Sequence, residues 1–174
     1  MNFTPPSDLE AEQSLLGMLL LNSKLVDDVA DIILPIHFYD QRHGVIYEAI
    51  LDLWSQSKPV DVLFVLNILE IDKYRKKISE ENPIDKEFLL ELISKSSISS
   101  TASGAARLIK EKHLLRTIIS TSDEMKEIVL KDTEGVEAQE VLDQAQKKLY
   151  EISLNTIDKN FVSISEVLGG ACER

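Results

Sequence analysis

Residues 102–131 read as a single helix about 45 Å long at 1.5 Å per residue. Leu108, Leu115, Ile118, Met125 and Val129 fall on one heptad seam of it, interrupted by Glu111 and Ser122. Asp132-Thr133-Glu134-Gly135 reads as a turn. Beyond it Ala138, Leu142, Ala145, Leu149 and Ile152 repeat at intervals of four and three, the a/d spacing of a helix pairing antiparallel with its neighbour. The pattern predicts a long helical hairpin. Other apolar residues lie off the two seams: Ile109, Ile119 and Ile128 on the first helix, Val141 and Tyr150 on the second. A two-helix hairpin has little interior, so these positions are expected to face a bundle of short helices or another subunit.

The first half of the chain predicts that bundle. Apolar spacings of three and four place helices near 8–21, 24–33, 41–56, 62–72 and 86–95. Pro5 and Pro6 stop any helix before the first. Ser7 is expected as its N-cap, with Glu10 three residues on in a capping box. Asp8, Glu10 and Glu12 suit the positive end of the helix dipole. Asp40, Asp61 and Asp85 are expected N-caps of later helices, and Pro35, Pro59 and Pro83 fall between helices. No alternating, strand-like stretch with Asn-Gly or Asp-Gly turns occurs. The organisation read from the sequence is a helical bundle over 1–98, a hairpin over 99–156 and a linker over 157–174. The fold class is all-α.

Apolar residues at 44% and charged residues at 28% place the 174-residue chain among globular proteins. No apolar run reaches the roughly 20 residues that span a bilayer, and the acidic N-terminus lacks a secretory or transit pattern. Cys172 is the sole cysteine, which excludes an intrachain disulfide. The formal charge is −11. A nucleic-acid binder carries a basic stripe, and here only Lys73-Tyr74-Arg75-Lys76-Lys77 is locally basic. On an acidic body that segment reads as a solvated face, and the module suits a protein partner better than phosphate.

No chemistry-bearing motif emerges. A phosphate-cradling loop of the form Gly-x-x-x-x-Gly-Lys-Ser/Thr is absent from the sequence, and Gly169-Gly170 has no lysine after it. His37, His43 and His113 lack ligand spacing and read as structural or surface histidines. Asp27-Asp28 and Glu80-Glu81 are adjacent, so each pair points its carboxylates apart, and solvation is their expected role. No Gly-x-Ser-x-Gly elbow occurs. Tyr47, Ile50, Leu51 and Trp54 share one helical face, which predicts core packing rather than base stacking.

Ordered segments of the chain nonetheless resemble one family. Pro5-Pro6-Ser7-Asp8-Leu9-Glu10-Ala11-Glu12-Gln13-Ser14-Leu15-Leu16-Gly17 looks like the opening of the N-terminal domain of DnaB-type replicative DNA helicases. Asp27-Asp28-Val29-Ala30, the segment from His37 through Ile50, and Pro59-Val60-Asp61-Val62 resemble its next elements. Gly104 through Lys112 with Leu115-Arg116 resembles the start of its hairpin, and Phe161 through Leu168 its linker. Two places depart from the family pattern. Ile78 through Ile84 stands where a glycine-rich connection is common, and Gly169-Gly170 falls in the linker helix.

The resemblance implies a collar domain without catalytic, cofactor or metal residues of its own. It implies a longer parent whose RecA-like motor binds ATP and Mg and forms a hexamer around single-stranded DNA. Leu108, Leu115, Ile118, Met125, Leu142, Leu149 and Ile152 would then line an interface with a partner or with self, as dimer, trimer of dimers or ring. Ile164, Val167 and Leu168 would dock the linker on a neighbouring motor. The implied partners are the C-terminal domain of primase and a helicase loader, in a cytoplasmic replisome or in an organelle such as a plastid. Two other readings remain open at this point: the helicase-binding domain of a primase, and a helical adaptor with no DNA role.

Overall fold

A computed structural model describes residues 4–96, 101–131 and 138–156, and every regular element among them is helical. The helices are α1 (Leu9–Leu21), α2 (Val26–Val29), α3 (Gln41–Ser55), α4 (Val62–Leu69), α5 (Asp72–Arg75), α6 (Lys86–Ser94), α7 (Ala102–Lys131) and α8 (Ala138–Thr156). Short 3-10 turns at Ser23–Leu25 and Pro35–His37 complete the list of elements. The chain divides into two compact units, Met1–His113 and Leu114–Arg174, so the division falls inside α7.

Capping sets the helix starts. Asp40, Asp61 and Asp85 accept from the backbone N–H groups of Arg42, Phe64 and Phe88 at 2.8, 2.9 and 2.8 Å. In the first unit Leu15, Leu16 and Leu19 of α1 meet Ile46, Tyr47 and Ile50 of α3 and Leu89 and Leu92 of α6 in one core. Each such side chain contributes about 1.5–3 kcal/mol by leaving water. Gly17 lies where α1 crosses α6: a methyl group there would overlap the carbonyl of Leu92, so only glycine permits this approach. The first turns of α7 close the unit. Ala102, Ala105, Ala106 and Ile109 are buried there, three of them small enough to bring the helix close. Ile109 is thereby accounted for within the first unit.

Several elements differ from expectation. Asp8, not Ser7, caps α1, accepting from the Ala11 N–H at 2.9 Å; the helix starts one residue later, and the Ser7–Glu10 box does not form its N-cap. The helix expected over 24–33 is instead a 3-10 turn and a single α turn, Val26–Val29. The helix expected over 62–72 stops at Leu69 with Glu70 as its C-cap, and extended Ile71 restarts the chain into α5. Trp54 is 38% exposed although Tyr47 and Ile50 are buried. The last turn of α3 runs past the core, and the chain reverses after it through Ser57, whose φ of 54° is left-handed. The Asp132–Gly135 turn, Ile98 and its neighbouring serines, and the linker with Ile164, Val167, Leu168 and Cys172 lie outside the described residues.

Candidate interaction surface

In the second unit α7 and α8 run antiparallel. The Lys148 ammonium donates to Glu124 at 2.6 Å, a contact between residues that a continuous helix would hold about 36 Å apart. The hydrogen bond and charge of Glu124 raise the Lys148 pKa above its ordinary value. Half-buried positions mark the inner sides of the pair. On α7 these include Thr117, Thr121, Met125 and Ile128; on α8 they are Val141, Ala145, Lys148 and Ile152. The seam inside the hairpin is therefore rotated from the one expected. Leu115, Ile118 and Val129 do not close on α8, and Leu142 and Leu149 flank the inner stripe rather than fill it. Threonines and a lysine occupy inner positions, so hydropathy alone selects the neighbouring, more apolar stripe.

At about 100° per residue, Leu115, Ile118, Ser122 and Val129 lie roughly 90° round α7 from its inner side. Leu142, Leu149 and Ser153 lie roughly 90° round α8 in the same rotational sense. Because the helices are antiparallel, equal rotations in one sense bring both stripes to the same side of the pair. Leu115, Ile118, Leu142 and Leu149 are 39%, 40%, 50% and 47% exposed there. Glu124, Glu127, Glu140, Gln144, Lys147, Lys148 and Glu151 fall on the opposite side, where the Glu124–Lys148 ion pair sits. One face of the hairpin is thus polar and the other apolar and uncovered. Leu108, by contrast, is half-buried within the first unit, and Met125 and Ile152 are inner residues at the margin of the face. Ile119 and Tyr150 are exposed toward the outer edges.

The basic segment at 73–77 is partly neutralised within the first unit. Lys73 donates to Asp52 at 2.6 Å and lies 3.3 Å from Glu48, and Lys77 donates to Glu48 at 2.6 Å. Buried Tyr74 donates to Asp52 at 2.5 Å. Burial pushes the Tyr74 phenol up to about 12, with its bond to Asp52 acting in the same direction. Burial also pushes Asp52 upward, but the bonds from Lys73 and Tyr74 outweigh it and hold the carboxyl below its ordinary value. Two of the four cations are committed to α3, which fits the solvated-face reading.

A surface that sequence reasoning missed lies on α4. Seven of its eight residues are apolar, so it buries Val65 and Leu69 and still leaves Leu63 and Phe64 outward. The signal was legible as a helix apolar around its whole circumference. Among the described residues no group of three or more His, Cys, Asp or Glu could hold a metal ion, and no helix is long and apolar enough to cross a membrane.

The described residues form an all-α module with an amphipathic hairpin. The family described as DnaB-like helicase N terminal domain matches residues 4–111, and the chain belongs to this family. It is 30% identical over 164 residues to the replicative DNA helicase DnaB of Mycobacterium leprae, covering 94% of this chain and 26% of that protein. It is 31% identical over 149 residues to the DnaB of Pasteurella multocida, covering 86% of this chain and 31% of that protein. The chain thus spans about a quarter to a third of these relatives. The crystal structure of the N-terminal domain of DnaB helicase from Mycobacterium tuberculosis matches with a TM-score of 0.73 at 32% identity, over 85% of this chain and 99% of that one. A DnaB-like replicative helicase, described with its interactions with primase, shares the fold at a TM-score of 0.62 and 22% identity, over 93% of this chain and 35% of that one.

Proposed function

We propose that this domain is the non-catalytic collar of a replicative DNA helicase, which self-associates through the apolar face of its hairpin and docks the C-terminal helical domain of primase. The uncovered apolar face, set against a wholly polar opposite side, carries this reading. In the full assembly a RecA-like motor would bind ATP and Mg and enclose single-stranded DNA, and a loader would place the ring in the cytoplasmic replisome. Ile164, Val167 and Leu168 would dock the linker on a neighbouring motor. The chain's sequence contains no phosphate loop, so no nucleotide step is assigned to its residues. That one fold relative is described with primase supports the choice of partner.

The test has two parts. Sedimentation of the 174-residue chain at rising concentration should show dimers or larger species, and Ile118→Asp should reduce them. Calorimetric titration with the cognate primase domain should show binding, tighter for an assembled collar through effective concentration. Absence of binding to both the chain and a full-length hexamer would remove primase from the reading. DNA-stimulated ATP hydrolysis by the purified chain would overturn its non-catalytic role.

A further inference from the structure

His37 closes the Pro35–His37 turn through two bonds to Leu34. Its N–H donates to the Leu34 carbonyl at 2.9 Å, and its Nδ1 accepts from the Leu34 N–H at 3.0 Å. A backbone N–H can only donate, so Nδ1 carries no proton in this bond and the imidazole is neutral. The ring lies against that of His113 on α7, with centroids 4.7 Å apart and planes tilted by 36°. Both residues are half-buried, so solvent protons reach them. His113 is the last residue of the first unit, where α7 passes into the second.

Acid acts on this arrangement in two ways. A proton on Nδ1 of His37 sets a donor against a donor, so the Leu34 bond is lost and the ring must turn. A second imidazolium at His113 adds like charge at stacking distance. The surrounding charges divide by element. On α7 Lys110 and Arg116 stand about one turn to either side of His113, and Glu111 and Lys112 precede it in sequence. At the start of α3 Asp40 is paired with Arg42, and from α1 Glu12 is held by the Tyr39 and Asp40 N–H groups and by His43. The charge of Asp31 reaches Tyr47 of α3, whose ring packs on Phe38. Asp31 favours added positive charge here, and Lys110 and Arg116 oppose it. The lost acceptor bond of His37 decides the direction.

We propose that His37 and His113 form a pH-sensitive latch. With His37 neutral, the stack holds the His113 turn of α7 on the Pro35–His37 turn, and protonation of His37 releases it. The held state binds fewer protons than the released one. It is therefore favoured as pH rises through the histidine range and lost as pH falls through it. The latch thereby sets how much of α7 belongs to the first unit.

Proton NMR of the 174-residue chain between about pH 8 and about pH 5 tests it. At the upper end an Overhauser contact should join the two imidazole rings, and the Leu34 amide should sit at its hydrogen-bonded shift. Both should disappear with one midpoint as the His37 ring titrates. His37→Asn puts an amide oxygen in place of Nδ1 and does not titrate, so its Leu34 amide should hold one shift across the range. His113→Phe keeps a ring and removes a charge, so the Leu34 midpoint should move to higher pH. A ring contact that persists after His37 is protonated would overturn the latch. So would a Leu34 midpoint that His113→Phe leaves in place, or a Leu34 transition that survives in His37→Asn, which would trace the change to other groups.

Discussion

Glu12 of α1 and His43 of α3 meet at 2.8 Å in the interior, both almost wholly out of water. The Glu12 carboxyl and His43 Nδ1 share one hydrogen bond that ties α1 to α3. The other interactions of Glu12 explain its burial. One oxygen accepts from the Tyr39 N–H at 2.6 Å, and the other accepts from the Asp40 N–H at 3.3 Å. The carboxylate of one helix thus closes the start of another, facing the positive end of the α3 dipole. His43 in turn stacks on Phe88 of α6, whose ring also carries the Arg42 guanidinium at 4.1 Å. Three helices are fixed through one buried acid.

Glu12→Ala should therefore be severe. It removes the acceptor of the Tyr39 and Asp40 N–H groups and the partner of buried His43 Nδ1, and a buried polar group left unsatisfied costs about 1–3 kcal/mol. Urea unfolding should show the midpoint falling accordingly. Glu12→Gln keeps one acceptor oxygen and should lose less. Equal stability of the alanine variant and the parent would refute the capping role.

Gly17→Ala sets two effects against each other. Alanine improves intrinsic helix stability by about 1 kcal/mol. The added methyl, however, overlaps the Leu92 carbonyl, and backbone cannot rotate aside as a side chain can. Overpacking of this kind costs about 1–3 kcal/mol, so a net loss is expected. Thermal unfolding decides the sign, and a raised midpoint would show that α1 and α6 can move apart freely.

Much of this was legible in the sequence, and the misses share a cause. Asp40, Asp61 and Asp85 cap as expected because capping is local: an acid two or three residues before a free N–H of the first turn suffices. Trp54 fails because its helical face is right but its level is wrong, since periodicity does not say where the core ends. The burial of Glu12 was hidden altogether, because its partners lie 27 to 31 residues away. The hairpin was legible as a hairpin, yet its inner seam was not. Thr117, Thr121 and Lys148 turn inward while Leu115, Ile118, Leu142 and Leu149 do not. An isolated chain with that choice of faces has placed its more apolar stripe where another molecule can cover it.

Asp52 gives a pH signature. Its carboxyl and that of Glu48 are pushed up by burial, yet the hydrogen bonds from Lys73 to both, from Tyr74 to Asp52 and from Lys77 to Glu48 hold each below its ordinary value. Depressed carboxylates contribute stability that is present above their unfolded pKa and lost as pH falls through the folded one. The stability difference between the parent and Asp52→Asn should therefore be largest near neutrality and shrink below about pH 4. On the alkaline side the sign reverses. Tyr74 is held neutral up to about 12, so its contribution is full below pH 10 and declines between the two values. Tyr74→Phe should flatten that limb in denaturant titrations at stepped pH, and an unchanged slope would show that the phenol does not titrate with folding.

The last prediction separates a face from mere exposure. Leu149 and Leu154 are similarly exposed, at 47% and 51%, but only Leu149 lies on the apolar face; Leu154 points toward the outer edge of α8. Neither is needed to pair α7 with α8, so aspartate at either position should leave far-ultraviolet circular dichroism and the melting temperature nearly unchanged. Their effects on association should differ. Each leucine left unburied removes about 1.5–3 kcal/mol, and a dimer of the variant loses two, so Leu149→Asp should weaken dimerisation by at least about 100-fold. Leu154→Asp should leave the sedimentation profile as it was. Ile152→Asp, on the inner side, should instead melt the hairpin and lower helicity before any question of association arises. Should Leu149→Asp and Leu154→Asp prove equivalent, the hairpin would be sticky on all sides, and the division into polar and apolar faces would have no bearing on assembly.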